Sequence, residues 1–316
     1  MFRLIISLST SMDPTAFCTG LGVIALSYLT LRFLRFPYLY TRPSSLHRYH
    51  YGPDPWALVT GASDGIGLGF AQELAFNNFN VVLHGRNISK LTAAKSRLAQ
   101  EFPTVQFRTL VADASNPSTA QFEKIATSIR DLNLTILINN VGGGSVCKPF
   151  EEYTADEVDV MMNVNARFPT QLTRALLPSF TQKNSPSLIM NIGSLGTAGV
   201  PYAVPYGGAK AFNMSMSACL EVELRIEGKQ IEVLAIPVGG VTEVSHRGDP
   251  ATFFTPGART MARAALGRVG CGRVEVVGYV GHAVQKFVAD VLPKGVRESR
   301  IVPLMKRYRA ERLRNR

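Results

Sequence analysis

Tyr206 and Lys210 stand four residues apart at the start of a stretch with helical spacing, "PYGGAKAFNMSMSACLEVELRI". Four residues is slightly more than one helical turn, so the phenol and the ammonium share a face. A phenol titrates near ~10 in water, and a neighbouring ammonium is expected to lower that value, bringing proton transfer toward neutral pH. A second tyrosine, Tyr202, lies eight residues before Lys210 in a loop broken by Pro201 and Pro205. Such a loop does not hold it within reach of the lysine. Tyr206 is therefore the expected proton carrier, and Tyr202 either lines a substrate pocket or simply packs. Ser194, just past an apolar run, brings a hydroxyl able to donate to a substrate oxygen. These residue types together suit proton transfer to a substrate oxygen.

A second group of residues suits a phosphate-bearing ligand. "VTGASDGIG" places Gly61, Gly65 and Gly67 between an apolar run and a helical one. Glycines there let the backbone approach a pyrophosphate, and the helix N-terminus offers unpaired N–H groups and positive potential. The next apolar run ends in "LHGRN", with Arg86 where an acidic residue would hold a ribose 2′-hydroxyl. An arginine there suits a 2′-phosphate, so NADPH is expected rather than NADH. Asp113 either binds an adenine amino group or caps a turn. In "NNVGG" (139–143), small residues let the chain pass beside the cofactor.

The elements that must position these groups are legible as alternating runs. Residues 56–60, 80–85, 105–112, 135–139, 187–192 and 231–236 read as buried strands of a parallel sheet. Helical stretches at 66–78, 89–101, 118–131, 154–183 and 206–227 separate them, which predicts an α/β, doubly wound parallel sheet of the Rossmann type. Residues 14–31 carry no charge and are near the ~20 residues that span a hydrocarbon core, which predicts an N-terminal transmembrane helix. A cleaved signal peptide is the alternative, but Arg32 and Arg35 follow directly and no small-x-small cleavage site does. Arg42 and Arg48 also lie on the C-terminal side, against Arg3 before the run, so that side is expected to face the cytosol. The expected organisation is an anchor and linker over 1–52, a catalytic domain over 53–277 and an amphipathic, basic extension over 278–316. That extension lies either on the bilayer or on the domain.

The net charge of +11 belongs to the ends. Residues 1–56 carry +3, residues 294–316 carry +7, and the 237 between them only +1. With no nucleic-acid motif beside the basic tail, anionic lipid headgroups suit it better than DNA or RNA. Four widely separated cysteines, Cys18, Cys147, Cys219 and Cys271, form no C-x-x-C pair and sit by no histidine cluster. They read as free thiols, and no metal site is expected.

Gly61-x-x-x-Gly65-x-Gly67, Asn139-Asn140-Val141-Gly142, Ser194 and Tyr206-x-x-x-Lys210, in that order over residues 56–245, resemble the short-chain dehydrogenase/reductase family. The resemblance implies catalytic roles for Asn165, Ser194, Tyr206 and Lys210, with Asn165 anchoring a water in the proton relay and Asn163 as its alternative. It implies a cofactor site of Gly61, Ser63, Asp64, Gly65, Ile66, Gly67, Arg86, Asp113, Asn140, Tyr206, Lys210, Val241 and Thr242. One departure follows the sixth strand, where the family's Pro-Gly reads Pro237-Val238 and then Gly239. The apolar N-terminus, "TFFTPGARTMARAALGRVG" and "GYVGHAVQKFVADVLP" further resemble microsomal very-long-chain 3-oxoacyl-CoA reductases and the related membrane-bound 17β-hydroxysteroid dehydrogenases. That implies NADPH-dependent ketone reduction at the endoplasmic reticulum, on an acyl-CoA in fatty-acid elongation. Alternatively the ketone belongs to a steroid, terpenoid or polyketide. Homo-oligomerisation or elongation-complex partners are implied in the same way.

Overall fold

The structure, a computed structural model, describes residues 13–143, 147–183, 185–244 and 248–314. Arg3 lies outside them. The chain divides into two units, 1–43 and 44–316. In the first, helix α1 (Pro14–Thr41) starts at Asp13, whose carboxylate accepts from Thr15 N–H at 3.0 Å. Its 28 residues include an 18-residue window with a mean hydropathy of 1.6, so the helix is long and apolar enough to cross a membrane by length and composition. The helix continues past the uncharged run 14–31 and through Pro37.

The second unit is built on six parallel strands: β1 (Pro55–Thr60), β2 (Asn80–Gly85), β3 (Phe107–Val111), β4 (Asn133–Asn139), β5 (Ser187–Ser194) and β6 (Ile231–Val238). Their order is β3-β2-β1-β4-β5-β6, the doubly wound arrangement, with the switch point between β1 and β4. β1 and β2 are buried at every position, as strands covered on both faces must be, which is why they read as unbroken apolar runs. The edge of β6 is met by residues 274–276: Ala235 N–H donates to Val274 O at 2.7 Å and Val276 N–H to Ala235 O at 3.1 Å.

The helices between strands have local causes. α2 (Gly65–Phe76) begins at Asp64, and α3 (Ile88–Glu101) begins at Asn87, whose side chain accepts from Lys90 N–H at 2.9 Å. α4 (Thr119–Ser128) starts at Ser118 in the same manner. The long stretch 154–183 is not one helix. α5 (Ala155–Met162), opened by a Thr154–Glu157 capping box, passes through a π-helical turn at Asn163–Arg167 into α6 (Phe168–Thr181). α6 buries Phe168, Leu172, Leu176 and Phe180, a four-residue stripe packed on the sheet with Leu58, Phe122, Leu137 and Ile189. α7 (Val204–Ile226) carries the Tyr206–Lys210 pair. α8 (Ala258–Leu266) is bolted to α2: Arg259 Nε lies 2.7 Å and Arg263 Nε 3.0 Å from the carboxylate of buried Glu73.

The division between units falls at Pro43–Ser44, ahead of the expected 52/53 boundary. Leu46 and Tyr49 are buried in the second unit, Ser44 Oγ donates to Leu266 O at 2.6 Å, and the Tyr49 hydroxyl donates to Glu232. The expected extension 278–316 likewise belongs to this unit through its described residues, as α9 (Val280–Val291) and α10 (Lys294–Arg314). α10 turns Arg297, Ile301, Met305 and Arg309, spaced by four, toward partial burial.

Candidate active site

A cleft of about 780 Å³ opens across the C-terminal ends of the strands, the size of a small-molecule site. Gly61, Ser63, Asp64, Arg86, Asp113 and Asn165 of the expected set line it. Gly61 (φ 66°) and Gly65 (φ 55°) both adopt the left-handed conformation that favours glycine. Gly67 is not a wall of the cleft: a Cβ there would sit 2.0 Å from Gly61 O, so its smallness serves the packing of α2 on β1. Ile66 follows Gly65 in the same first turn. The Gly65 N–H is taken by Asp64 at 2.7 Å, and Lys90 Nζ lies 3.8 Å from that carboxylate.

At the end of β2, Arg86 faces the same cleft, with Asn87 beside it. Asp113 does cap a turn, accepting from Ser115 N–H at 2.9 Å, while also lining the cleft. That N–H holds its carboxyl below the ordinary range, with Arg86 adding to the effect. Asn140 acts through its amide: Nδ2 donates to Thr60 O at 3.0 Å, tying the 139–143 segment to the glycine turn. Thr60, which the motif reading passed over, completes the tie, its Oγ1 accepting from Asn140 N–H and Val141 N–H at 2.9 Å each. His84 was also passed over. It lines the cleft, stacks on Phe168 at 5.1 Å, and is pushed down to about 4 by burial, so it is neutral.

Behind this cleft lie the groups expected to handle the proton. Lys210 is 4% exposed and its Nζ donates to Ile192 O at 2.9 Å. A Cβ on Gly142 would meet Lys210 Nζ at 3.2 Å and Asn165 Oδ1 at 3.1 Å, so both stand directly behind that glycine. Asn165 sits in the π-helical turn, its Nδ2 donating to Met161 O at 3.0 Å. Asn163 points elsewhere, to Ser115 O at 3.0 Å. Asn165 is backed by a buried chain of amides and hydroxyls. Asn139 Nδ2 bonds Thr173 Oγ1 (2.9 Å) and Asn191 Oδ1 (2.8 Å), and Asn191 Nδ2 bonds Ser217 Oγ (2.8 Å). Ser217 Oγ then donates to Asn213 O (2.7 Å), and Asn213 Nδ2 donates to the Asn165 carbonyl. Such a chain fixes the Asn165 backbone because any break leaves a buried polar group unpaired.

Ser194 ends β5, where its Oγ accepts from Gly196 N–H at 3.0 Å and so keeps its own proton for donation. Tyr206 lies across that turn, a Cβ on Gly196 falling 3.8 Å from its Cε1. The expected lowering of the phenol by Lys210 is not what the structure shows. Burial pushes the Tyr206 phenol up, with Ser194 pulling the other way. Lys210 is itself pushed down to about 8 by burial, its ammonium held by Ile192 O. Tyr202 takes no part in this group. Its backbone is left-handed (φ 62°) and its ring lies under the Arg309 guanidinium, 5.3 Å from the ring centre. Thr242 is fully buried, its hydroxyl donated to Asp249 O, and Val241 beside it is buried as well.

Residues 55–249 match the family model described as short chain dehydrogenase. The chain belongs to the short-chain dehydrogenase family. It is therefore an oxidoreductase, of the ketoreductase kind, that works with a nicotinamide cofactor. It is 31% identical to "Putative steroid dehydrogenase 2" of Caenorhabditis elegans over 89% of this chain and 91% of that protein. It is 33% identical to a very-long-chain 3-oxoacyl-CoA reductase of Neurospora crassa over 74% of this chain and 72% of that protein. Among solved structures, a short-chain dehydrogenase from Sphingobium yanoikuyae in complex with NADPH is 29% identical, with a TM-score of 0.61 over 76% of this chain and 97% of that one. In this short-chain dehydrogenase the residues fit such a cofactor. The cleft has the volume, two left-handed glycines open the turn at its base, and Arg86 is the cation at the end of β2.

Proposed function

We propose that this enzyme is a membrane-bound, NADPH-dependent reductase of 3-oxoacyl-CoA, yielding the 3-hydroxyacyl-CoA of fatty-acid elongation. The observation that carries this reading is a buried phenol, Tyr206, that keeps its proton beside Ser194, whose hydroxyl oxygen accepts from Gly196 N–H and so has its own proton to donate. Bound NADPH would supply hydride to the carbonyl carbon. The chain's own part is to hold and protonate the oxygen. Ser194 O–H donates to that oxygen and Tyr206 delivers its phenolic proton as charge develops there. A phenol that holds its proton at neutral pH is the acid a reduction needs. Lys210 and Asn165 stand together behind Gly142 and are the groups through which a proton relay to Tyr206 would run. Arg86, with Lys90 nearby on the cleft wall, suits the 2′-phosphate of NADPH.

The substrate class rests on relatedness to the Neurospora reductase across the catalytic unit. The Caenorhabditis relative favours a second reading, a keto-steroid. Membrane attachment is supported by α1 and by apolar side chains exposed on α9 and nearby, among them Phe253, Phe287 and Val291. The arginines after the apolar run support a catalytic unit on the cytosolic side, and relatedness to the very-long-chain 3-oxoacyl-CoA reductase suggests the endoplasmic reticulum. One assay tests these points together: NADPH oxidation by alkaline-washed membranes, supplied with a long-chain 3-oxoacyl-CoA or with keto-steroids. Turnover of the acyl-CoA that stays with the washed membranes is expected. Turnover of steroids alone would replace the substrate, and activity released into the wash would contradict the anchor.

A further inference from the structure

Helix α9 brings one imidazole to the root of the loop that follows β6. His282 is wholly buried, its Nδ1 3.2 Å from Gly239 N and its Nε2 2.9 Å from Gly240 O. The Gly239 N–H can only donate, so Nδ1 must accept, which leaves the ring proton on Nε2 for the Gly240 carbonyl. One neutral imidazole thus satisfies two consecutive peptide groups. Burial keeps it neutral, since it pushes the imidazole below its ordinary value. The fit leaves no spare room. A Cβ on Gly239 would stand 2.9 Å from His282 Cδ2, so glycine at 239 and histidine at 282 are matched.

The course of the held loop gives the contact its meaning. Its root, Val238, pairs with Ser194 across the β5–β6 ladder. Its far end, Val244, packs on the glycine turn, its Cγ1 3.0 Å from where a Cβ on Gly65 would be. Between them, Thr242 N–H donates to Pro256 O at 3.0 Å, and the Glu243 carboxylate accepts from Ala258 N–H, the first residue of α8, at 3.1 Å. The segment 239–244 therefore runs from the proton-donating serine to the turn at the base of the cofactor cleft. Glu243 secures the far end and His282 the near one.

We propose that His282 is a positioning residue: it sets the course of segment 239–244 and so ties NADPH affinity to helix α9. The proposal rests on NADPH being the cofactor and on that segment facing it. It also assigns a role to the histidine of "GYVGHAVQKFV", 43 residues from its partner in sequence.

The test uses the purified full-length chain in detergent and three variants. His282→Phe keeps the ring and loses both hydrogen bonds, His282→Asn keeps an acceptor for Gly239, and His282→Gln keeps a donor for Gly240. Amide hydrogen exchange over 238–244 is read beside NADPH binding without substrate. For His282→Phe, faster exchange in this segment and about tenfold weaker NADPH binding are expected, with the single-bond variants in between. The KM for NADPH should rise more than kcat falls. If His282→Phe does not fold, Asn and Gln carry the same comparison at smaller amplitude. Unchanged exchange in the folded variants overturns the clamp. Faster exchange with NADPH affinity held within about twofold overturns the link to the cofactor, while leaving the reductase reading intact. A lowered melting temperature alone, with both readouts unmoved, assigns His282 to the fold and also overturns the proposal.

Discussion

At the scale of single residues, the two buried groups proposed to share the proton work are shifted in opposite directions. Tyr206 is pushed up from its ordinary value and Lys210 is pushed down to about 8. The signs differ because burial disfavours whichever form is charged, phenolate in one case and ammonium in the other. For ketone reduction, Tyr206 keeps its proton throughout the neutral and mildly alkaline range, so it imposes no limit there. Lys210 carries charge below about 8 and loses it above. Reductive kcat/KM is therefore expected to be level below pH ~8 and to fall by about tenfold per pH unit beyond it. A pH profile of NADPH oxidation checks this. A rate that keeps rising from pH 8 to 10 would show that the lysine charge is not required for reduction.

At the scale of elements, each side of the site is carried by a different piece of the α/β alternation. The turn from β1 into α2 and the end of β2 shape the cofactor cleft, while the end of β5 and the first turn of α7 present Ser194 and Tyr206. The proposed NADPH dependence makes Arg86 the element-end residue on which cofactor choice would turn. Charge-assisted bonds to a phosphate are stronger than neutral ones. Arg86→Ala is accordingly expected to weaken NADPH binding by ~10–100-fold and to leave NADH binding nearly unchanged, as measured by titration of each cofactor. An equal loss for both would move the 2′-phosphate away from Arg86. These local features were legible in the sequence because each depends on neighbours within one turn or one strand end. The Tyr206–Lys210 spacing, the glycine turn and the "LHGRN" strand end are of this kind. What the sequence did not disclose depends on distant partners. The π-helical turn that separates Asn165 from Asn163 in direction is invisible to a 3.6-residue pattern. Thr60 meets Asn140 across 80 residues and Arg309 covers Tyr202 from the last described helix. The fate of the Lys210 ammonium was hidden for the same reason, since Ile192 O, not Tyr206, receives it.

At the scale of the whole molecule, sequence and structure agree on a six-stranded parallel sheet and on an apolar N-terminal helix, and differ on where the units divide. The sequence places the boundary at 52/53, yet Leu46 and Tyr49 are buried and draw residues 44–52 into the second unit. For the basic C-terminal region the sequence favours the bilayer, with packing on the domain as the alternative. α10 lies on the domain, with Arg309 Nη2 3.0 Å from Glu152 and Cys147 Sγ 3.9 Å from Met305 O. α10 thus meets the loops that follow β4 and β5, on the side of the molecule where a substrate would enter. Its outer face still exposes Leu304 and Tyr308 among basic residues. The proposed reduction assigns to one buried phenol, Tyr206, the proton that the carbonyl oxygen receives. The most direct test is Tyr206→Phe in the full-length chain, assayed for NADPH oxidation with a long-chain 3-oxoacyl-CoA and, separately, for NADPH binding. The account predicts turnover reduced by ~10²–10⁴-fold with NADPH binding retained. Turnover within a few-fold of the unsubstituted enzyme would contradict it and place the proton donor elsewhere.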